Sequence, residues 1–504
     1  MVKFEKVILS LLIACVISLL TACTPASTAP LFTVTSEATA LQVTKTPTPT
    51  ASFTVTFTPV PLSSSPTLTP APTLVPLSSC PDLLPSRLEL GGYGIVNIDP
   101  PGLNNVRKQP DRTWEKTGEL PAGSIFRVLG GEQCANGSSW FQVETLDKSL
   151  TGWTVEADST RYSVSPIENS SIYFLVEEPA KKQFVIKQAK VEEGTVSTTG
   201  SISVADILPG VNVKPSPDEN TIALFNTVEP RLLLSDLSGN VHEIHLKSKI
   251  GDYGIFWSPD STKILAGSEI MDTQGNLVRE IPSGPNVGCS WAGDNSAVAC
   301  TRFRSATDAT TEIFVISLDG KDYSLTTNAS ISEDGASFSP DGSQIAFRQL
   351  PDTIMVANRD GSNPIEIDKG RGAWGAVAWS TQGDQIAYGC GALCVANLKT
   401  GKTQDFLRGA YDQAEFQGLR WSPDGTRLTF VLTNPGGVNL RYVYFNGRVS
   451  NISMPAANQI LWSPESMRLV YVTLKGVYTI NALGTAQTTL AEAGNITLLA
   501  WLPR

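Results

Sequence analysis

The side chains best suited to acid–base or metal chemistry are few in this 504-residue chain. It has two histidines, His242 and His245, both within the segment Val-His-Glu-Ile-His. Their i, i+3 spacing differs from the i, i+4 spacing with which a helix presents two imidazoles to zinc, and the alternation around them predicts a strand. No Gly-x-Ser-x-Gly nucleophile elbow occurs. We therefore predict no catalytic residues, no metal site and no cofactor, and expect that the protein is not an enzyme.

Cysteines are the second group of reactive side chains, and there are eight. Cys15 lies in an apolar N-terminal run, and Cys23 ends that run. Without these two, six cysteines remain, an even number as expected for disulfides in an exported protein. The predicted pair is Cys80 with Cys134, and the candidate cross-strand pairs are Cys289 with Cys300 and Cys390 with Cys394. A metal site built from the last four is disfavoured, because no histidine lies nearby to complete it.

The charge balance excludes one large class of function. The chain carries 38 Lys and Arg against 48 Asp and Glu, a net charge of −10. Binding to nucleic-acid phosphates requires clustered cations that this composition does not supply, so we expect no nucleic-acid partner. With 41% apolar residues, the chain is long enough for two or more domains.

The first 22 residues have the pattern of an export signal. Lys3 and Lys6 precede an apolar run from Val7 to Leu20, which is short for a membrane span but typical of a signal-peptide core. The run ends in Leu20-Thr-Ala-Cys23, which resembles the bacterial lipobox. That resemblance implies lipidation of Cys23 and anchoring at the extracytoplasmic face of a membrane in the bacterial cell envelope. A secretory peptide without lipidation is the alternative, and the choice between inner and outer membrane stays open.

Residues 23–79 are predicted to form a disordered stalk. Ser, Thr and Pro supply 33 of the 56 residues from 24 to 79, and the charged residues there are Glu37 and Lys45. Such a segment buries too little apolar surface to fold, and its repeated Thr-Pro pairs favour extended polyproline-like backbone. The alternative is a docking segment marked by Phe53 and Phe57; whether the stalk is glycosylated stays open.

Residues 80–168 contain short alternating apolar segments separated by Gly and Pro, which predicts a small β-barrel. The segments are Leu103-Asn-Asn-Val-Arg107, Leu120-Pro-Ala-Gly123, Trp140-Phe-Gln-Val143 and Gly152-Trp-Thr154. Their order resembles the bacterial SH3 (SH3b) family, whose members bind cell-wall or other peptides. The resemblance implies contact with peptidoglycan or a peptide, and Tyr93 and Trp153 are candidate groove residues. Side chains alternate along a strand, so part of any such set packs inward.

A repeat with a period of roughly 41 residues dominates residues 169–504. Each unit has an aromatic residue followed by Ser-Pro-Asp-Gly or a degenerate form of it, which we call the anchor, and an apolar strand that ends near a glycine. Clear anchors are Trp257-Ser-Pro-Asp260, Phe338-Ser-Pro-Asp-Gly342 and Trp421-Ser-Pro-Asp-Gly425. Pro presets φ, Asp accepts a local backbone hydrogen bond and Gly adopts the left-handed conformation, so the anchors are predicted hairpin turns. A lone Asp per turn lacks the clustered oxygens that calcium requires.

Four strands per unit predict the blade of a β-propeller. The pattern resembles the TolB-like and WD40-like (PD40) propellers. Eight anchors, from Pro215 to Trp501, favour eight blades if the C-terminal strand completes the blade begun by the strands near residues 171–187; seven is the alternative. The predicted fold class is all-β, with a small SH3-like barrel followed by a β-propeller.

Long loops are predicted on the propeller face opposite the anchors, and a rigid scaffold usually binds its partners through such loops. Cationic and aromatic side chains there are candidates for binding an anionic or peptide ligand. They are Arg302, Arg304, Arg348, Trp374, Tyr411 and Phe416. The alternative is that they are solvated charges and aromatics that pack the loops.

Together these segments predict a non-catalytic, membrane-anchored extracytoplasmic lipoprotein that acts as a binding or scaffold protein. Its SH3b module would contact the cell wall or a peptide, and its propeller loops a still unknown protein partner or small ligand. One alternative is a TolB-like component of an envelope assembly or translocation complex, although an SH3-like module stands where TolB has its own N-terminal domain. A propeller-based hydrolase is the other, disfavoured because the nucleophile elbow is absent.

Overall fold

The computed structural model describes residues 80–204, 210–251, 254–281, 286–305, 310–326, 330–370, 377–391, 393–407, 415–433, 439–445, 447–452, 459–485 and 487–503. The predicted signal peptide, Cys23 and the stalk lie outside these residues. Within them the chain forms strands and one short 3₁₀ helix, Pro179–Lys181. In this part of the chain no helix is both long and apolar enough to cross a membrane.

The first seven strands form one sheet in the order β3-β2-β6-β5-β4-β1-β7. The strands are β1 Tyr93–Val96, β2 Leu103–Arg107, β3 Lys116–Pro121, β4 Ile125–Ala135, β5 Ser138–Thr145, β6 Thr151–Ala157 and β7 Val164–Ile167. Alternate side chains point to one face, where six of the strands contribute to a single hydrophobic core. Its members include Val96, Val106, Leu120, Phe126, Phe141 and Val164. We call this unit the small sheet; it curls around that core.

The following strands form eight four-stranded antiparallel sheets in the described part of the chain. Sheet 1 contains β8 Ser170–Glu178, β9 Gln183–Lys190, β10 Thr195–Ser203 and the C-terminal β39 Ile496–Pro503. Sheet 2 contains β11 Asn212–Pro215, β12 Thr221–Phe225, β13 Arg231–Asp236 and β14 Val241–His245. Sheet 3 contains β15 Ile255–Trp257, β16 Lys263–Ala266, β17 Glu269–Asp272 and β18 Leu277–Glu280. Sheet 4 contains β19 Asn286–Trp291, β20 Ala297–Phe303, β21 Thr311–Ser317 and β22 Tyr323–Ser324.

The remaining sheets repeat this pattern. Sheet 5 contains β23 Glu333–Phe338, β24 Gln344–Gln349, β25 Thr353–Asn358 and β26 Ile365–Lys369. Sheet 6 contains β27 Ala378–Trp379, β28 Gln385–Gly389, β29 Leu393–Asn397 and β30 Lys402–Phe406. Sheet 7 contains β31 Glu415–Trp421, β32 Arg427–Thr433, β33 Asn439–Phe445 and β34 Arg448–Asn451. Sheet 8 contains β35 Gln459–Trp462, β36 Arg468–Thr473, β37 Gly476–Asn481 and β38 Thr488–Glu492.

Apolar cores lie between successive sheets, which makes this region a β-propeller. Leu234 of sheet 2 and Ile264 of sheet 3 share one cluster, and Phe347 of sheet 5 packs with Ile313 of sheet 4. The last sheet packs on the first in the same way, because Val470 and Phe174 belong to one cluster. Pairing of β39 with β8 joins the two ends of this region in sheet 1. The prediction that the C-terminal strand completes the N-terminal sheet is confirmed.

The anchors form the predicted turns. At Phe338-Ser-Pro-Asp-Gly342, the Ser339 hydroxyl donates to Asp341 Oδ1 at 2.6 Å and accepts from the backbone N–H of Gln344 at 3.0 Å. Gly342 has φ +71°. Degenerate anchors keep the same left-handed position without glycine, at Glu219, Ser261, Asn295 and Ser466. The conserved geometry therefore depends on the Ser and Asp oxygens as well as on glycine.

The anchor tryptophans join neighbouring sheets by a hydrogen bond that the sequence analysis did not foresee. Except at Trp501, each indole N–H donates to a backbone carbonyl in the preceding sheet, at the residue just before that sheet's own anchor. The pairs are Trp257 to Lys214 (3.2 Å), Trp291 to Phe256 (3.0 Å), Trp379 to Ser337 (2.9 Å), Trp421 to Ala378 (3.1 Å) and Trp462 to Arg420 (3.1 Å). The apolar ring is thus buried between sheets while its polar atom is satisfied.

Sheets 8 and 1 are also joined by a buried ion pair. Both terminal nitrogens of Arg468 lie 3.3 Å from Glu192 Oε1, and the two side chains are 3% and 2% exposed. Ser170 donates its backbone N–H and its hydroxyl to the same carboxylate, at 2.9 and 3.1 Å. The Trp501 indole then donates to the Ser170 hydroxyl at 2.8 Å. These four residues, which we call the closure network, connect strands from both ends of the propeller.

Candidate functional site

A half-open cleft of about 750 Å³ lies where the small sheet meets the propeller. We call it the junction cleft. The small sheet and the segments flanking it contribute Arg87, Glu89, Gly92, Tyr93 and residues 166–169; the propeller contributes Ser170, Pro464, Glu465 and Pro503. Two separately cored units thus supply opposite walls, which is a common setting for a ligand site.

The small sheet is held against the propeller through the Leu120-Pro-Ala-Gly123 turn. The Asn481 side chain, at the end of β37, donates to the Ala122 carbonyl at 3.2 Å. Gly123 has φ +82°, and a Cβ placed there would lie 2.4 Å from Asn481 Nδ2. Ile98 and Ala122 pack into one cluster with Tyr471 and other residues of sheet 8. The turn that carries the SH3b resemblance is therefore a contact between the small sheet and sheet 8.

The wall from the small sheet is shaped by Arg87. Its guanidinium lies 3.4 Å above the centre of the Tyr162 ring and donates to the Val164 carbonyl and the Ser165 hydroxyl, each at 3.3 Å. The Arg87 backbone N–H donates to the buried Glu156 at 2.7 Å. Because cation–π stacking and three hydrogen bonds fix this residue, the wall is preformed.

The cleft offers an aromatic surface next to exposed carboxylates. Tyr93, predicted as a groove residue, is half-buried in β1, where it pairs with Arg127 and Ile167. Glu89 and Glu168 are exposed on the lining. Proline rings on both sides add flat apolar surface. This combination suits an extended peptide that carries an ammonium group, because the aromatic ring and prolines pack on its backbone and the carboxylates accept its N–H donors.

One member of the closure network, Ser170, lines the junction cleft. Ser170 is 2% exposed. Its hydroxyl donates to Glu192 and accepts a hydrogen bond from the Trp501 indole. The Glu192 carboxylate is engaged by Arg468 and by the Ser170 backbone N–H. Both carboxylate oxygens of Glu192 therefore have their hydrogen-bond partners within the closure network.

The predicted loop arginines form ion pairs within the propeller. Arg302 Nε lies 2.8 Å from Glu312 Oε1, and Arg304 Nη1 lies 3.2 Å from Glu312 Oε2. Arg348 makes a two-bond pair with Asp334 at 2.7 and 2.6 Å. Each positive charge therefore faces a carboxylate, and a ligand anion would have to compete with it.

Glu333 lies beside this cluster and is fully buried. Gln349 donates to Glu333 Oε1 at 3.2 Å, Thr326 donates to Oε2, and Arg304 Nη2 lies 3.9 Å from Oε2. Burial raises the pKa of Glu333 from 4.5 to about 7, and Gln349 and Arg304 only partly oppose that effect. The cluster thus contains a carboxyl group that titrates near neutral pH.

The structure does not bring the other candidate residues into one site. Trp153 is half-buried in β6, opposite Arg107 of β2 and Gln142 of β5, and it does not line the junction cleft. Trp374 and Tyr411 lie outside the described residues. Phe416 belongs to β31, for which only the backbone is described at that position.

The six remaining cysteines form the three pairs considered from the sequence: Cys80 with Cys134, Cys289 with Cys300, and Cys390 with Cys394. Among the described residues, the group with several metal-ligand atoms close together is Asp368, Cys390 and Cys394, whose two sulfurs are joined as a disulfide. His242 lies in a strand, 3.2 Å from the Gln274 carbonyl, and His245 is largely exposed.

Sequence reasoning missed most of the junction cleft. Arg87 and Glu89 belong to no motif, whereas Pro464 and Pro503 belong to the last two anchors. They meet because the small sheet docks on the ends of β39 and of the sheet 8 anchor turn. The available signal was the turn at Gly123, whose glycine is required by a contact with a residue far along the chain.

Comparison with known proteins gives structural likeness at low identity. No protein-family model matches the chain. No curated protein sequence matches it either. The dihydro-heme d1 dehydrogenase NirN, solved with DHE, is 13% identical over 64% of this chain and 74% of its own, with a TM-score of 0.48. The C-terminal WD40 domain of Sif2 is 14% identical over 60% and 90%, with a TM-score of 0.43. TolB from Acinetobacter baumannii is 16% identical over 75% and 82%, with a TM-score of 0.36.

Proposed function

We propose that this protein is a non-catalytic binding or scaffold protein whose junction cleft holds an extended peptide with an ammonium group, as in the cell wall. The observation that carries the proposal is the preformed cleft with Tyr93 and the exposed Glu89 and Glu168 on its lining. In this proposal the small sheet is an SH3b module and the eight four-stranded sheets are eight blades.

The proposed location is the extracytoplasmic face of a membrane in the bacterial cell envelope, with a lipid on Cys23. The sequence Leu20-Thr-Ala-Cys23 supports lipidation, and three disulfides support an oxidising compartment. The Ser-, Thr- and Pro-rich segment before residue 80 supports a spacer between membrane and cleft. A protein partner of the propeller loops is proposed alongside the peptide, because loops on a rigid scaffold are where such proteins usually bind their partners.

The test is co-sedimentation of residues 23–504, with Cys23→Ser to prevent lipidation, with purified cell-wall sacculi. We expect the protein to pellet. A Glu89→Gln, Glu168→Gln double variant should bind at least about tenfold more weakly, since each neutralised carboxylate loses a charge-assisted hydrogen bond. Tyr93→Ala should weaken binding as well.

The matched control is a Glu115→Gln, Glu119→Gln double variant, which changes charge equally in and beside β3, outside the cleft lining. It should pellet like the parent. Failure of the parent to pellet, or equal pelleting of both double variants, would contradict peptide binding in the junction cleft.

A further inference from the structure

The inner strands of the propeller enclose a second cavity. The first strands of the sheets lie beside one another around the ring, and two spaces of about 420 and 400 Å³ lie among them. Both are lined by Lys214, Pro215, Arg420 and Leu461, so they adjoin. Because these residues come from β11, β31 and β35, on different sheets, the combined space is the central channel.

Two cations face this channel. Lys214 Nζ donates to the Ile255 carbonyl at 2.6 Å and lies 4.9 Å from the centre of the Phe256 ring, and it forms no ion pair with a carboxylate of the described residues. Arg420 contributes its backbone carbonyl to Trp462 and Thr429. Within the described residues its guanidinium has no hydrogen bond or ion pair, although ion pairs are common for arginines elsewhere in this propeller.

The channel lining has one carboxylate among the described residues, Glu219, and it is used elsewhere. Its Oε2 accepts the Trp501 backbone N–H at 2.7 Å. Glu219 is close enough to favour the charged form of Arg420 but forms an ion pair with neither cation. The local charge is therefore positive.

Depth within the ring makes this positive charge costly. Burial, followed by the charge of Arg420, lowers the pKa of Lys214. The surrounding protein also lowers the pKa of Arg420, whose residue is nevertheless exposed to the solvent that the channel admits. A bound anion would stabilise these two cations, as hydration stabilises cations at the protein surface.

The remainder of the lining is largely apolar. Val213, Phe256, Trp257, Leu461 and Leu498 contribute to it. Inorganic anions gain nothing from such walls, whereas a carboxylate attached to an aromatic or aliphatic group buries apolar surface there.

We propose that the central channel binds a small organic carboxylate, with its anionic group between Lys214 and Arg420 and its apolar group against Phe256 and Leu461. This site is separate from the junction cleft and does not depend on the peptide function proposed above. It adds a small-molecule ligand to a protein whose other surfaces suit macromolecules.

The test is calorimetric titration of residues 23–504, carrying Cys23→Ser, with phenylacetate at constant ionic strength. Phenylacetamide, a neutral analogue of similar shape, and inorganic phosphate are the ligand controls. We expect one phenylacetate per chain and much weaker binding of both controls. Arg420→Gln and Lys214→Met should each weaken phenylacetate at least tenfold, whereas Lys399→Met, which removes an exposed cation outside the channel, should not.

A second measurement does not depend on the probe. If the guanidinium of Arg420 is an uncompensated charge, Arg420→Gln will raise the thermal midpoint of the unliganded protein. A lowered midpoint, no phenylacetate binding, equal binding of phosphate, or unchanged affinity in both channel variants would each overturn the proposal.

Discussion

At the scale of single residues, charge placement inside the propeller decides how stability responds to pH. Glu333 is fully buried and has a pKa raised to about 7 by that burial. The groups facing it are Arg304, Gln349, Thr326 and the carboxylate of Glu312. Between pH 4.5 and 7 the folded protein keeps a proton on Glu333 that the unfolded chain has released. This group therefore lowers the free energy of unfolding as pH rises through that interval.

We predict that Glu333→Gln removes this pH dependence. The amide resembles the protonated carboxyl group, so the variant should match the parent near pH 4.5 and exceed its stability at pH 8. The difference can reach about 3 kcal/mol, the value of the pKa displacement from 4.5 to about 7. Urea unfolding at several pH values measures it.

The control for this experiment is Glu366→Gln, which alters an exposed carboxyl group in β26. Its difference from the parent should stay nearly constant over the same pH range. A Glu333→Gln difference that is equally constant would show that Glu333 is ionised in the folded protein throughout.

At the scale of elements, the Leu120-Pro-Ala-Gly123 turn couples the small sheet to sheet 8. We predict that Gly123→Ala loosens this docking, because the new Cβ would meet Asn481 at 2.4 Å as well as facing the left-handed backbone at φ +82°. Strain at positive φ alone costs about 1–2 kcal/mol. Cleavage by a protease in the connection near residues 166–170 should become faster.

Gly137→Ala separates the two causes. Gly137 also has positive φ, +69°, but a Cβ there meets nothing within 4 Å. It should cost backbone strain without exposing the connection to protease. Equal cleavage of the two variants would mean that the Asn481 contact does not hold the small sheet in place.

The turns and strands could be predicted from the sequence because their causes are local. Ser339, Asp341 and Gly342 make a hairpin wherever they occur together, and the repeat shows that the strands recur. The pairing of β39 with β8 could be predicted because the strands near residues 171–187 precede the first anchor, while the last anchor is followed by too few residues for further strands. The carboxylate partners of Arg302 and Arg348 lie in other strands, and a sequence pattern does not show which side chains face each other across a sheet.

Candidate sites were harder to predict for the same reason. Tyr93 is a candidate groove residue through the SH3b resemblance, but its neighbours Pro464 and Pro503 come from the other end of the chain. Lys214 and Arg420 sit one residue before their anchors, and that position is Phe256, Ser337 or Ala378 in other repeats. The sequence therefore shows that Lys214 and Arg420 differ from the other repeats at this position. That both side chains line the central channel is seen only in the structure.

At the scale of the whole molecule, the closure network holds the first and last sheets together. We predict that Glu192→Gln costs about 1–3 kcal/mol, because the buried Arg468 guanidinium loses one of its two carboxylates and keeps the other, Glu465, 2.5 Å from its Nε. A Glu192→Gln, Arg468→Met double variant should recover much of that loss. The urea midpoint is the measurement.

Glu193→Gln is the matched control, since the neighbouring residue forms an exposed ion pair with Lys190 at 3.3 Å. Its cost should be below about 1 kcal/mol. If the Glu192 variant costs no more than the Glu193 variant, the ring is closed by strand pairing and apolar packing alone.

The pairing of β39 with β8 also means that sheet 1 is completed only at the end of synthesis. Ser170 and Trp501, which meet across this pair, are 331 residues apart. A ribosome releases the N-terminal residues first, so β8 exists with one bare edge while the rest of the ring is still being synthesised. Bare strand edges recruit other chains. The most vulnerable period for this protein therefore falls before its last strand arrives, and interrupted synthesis should produce aggregates rather than a functional shorter form.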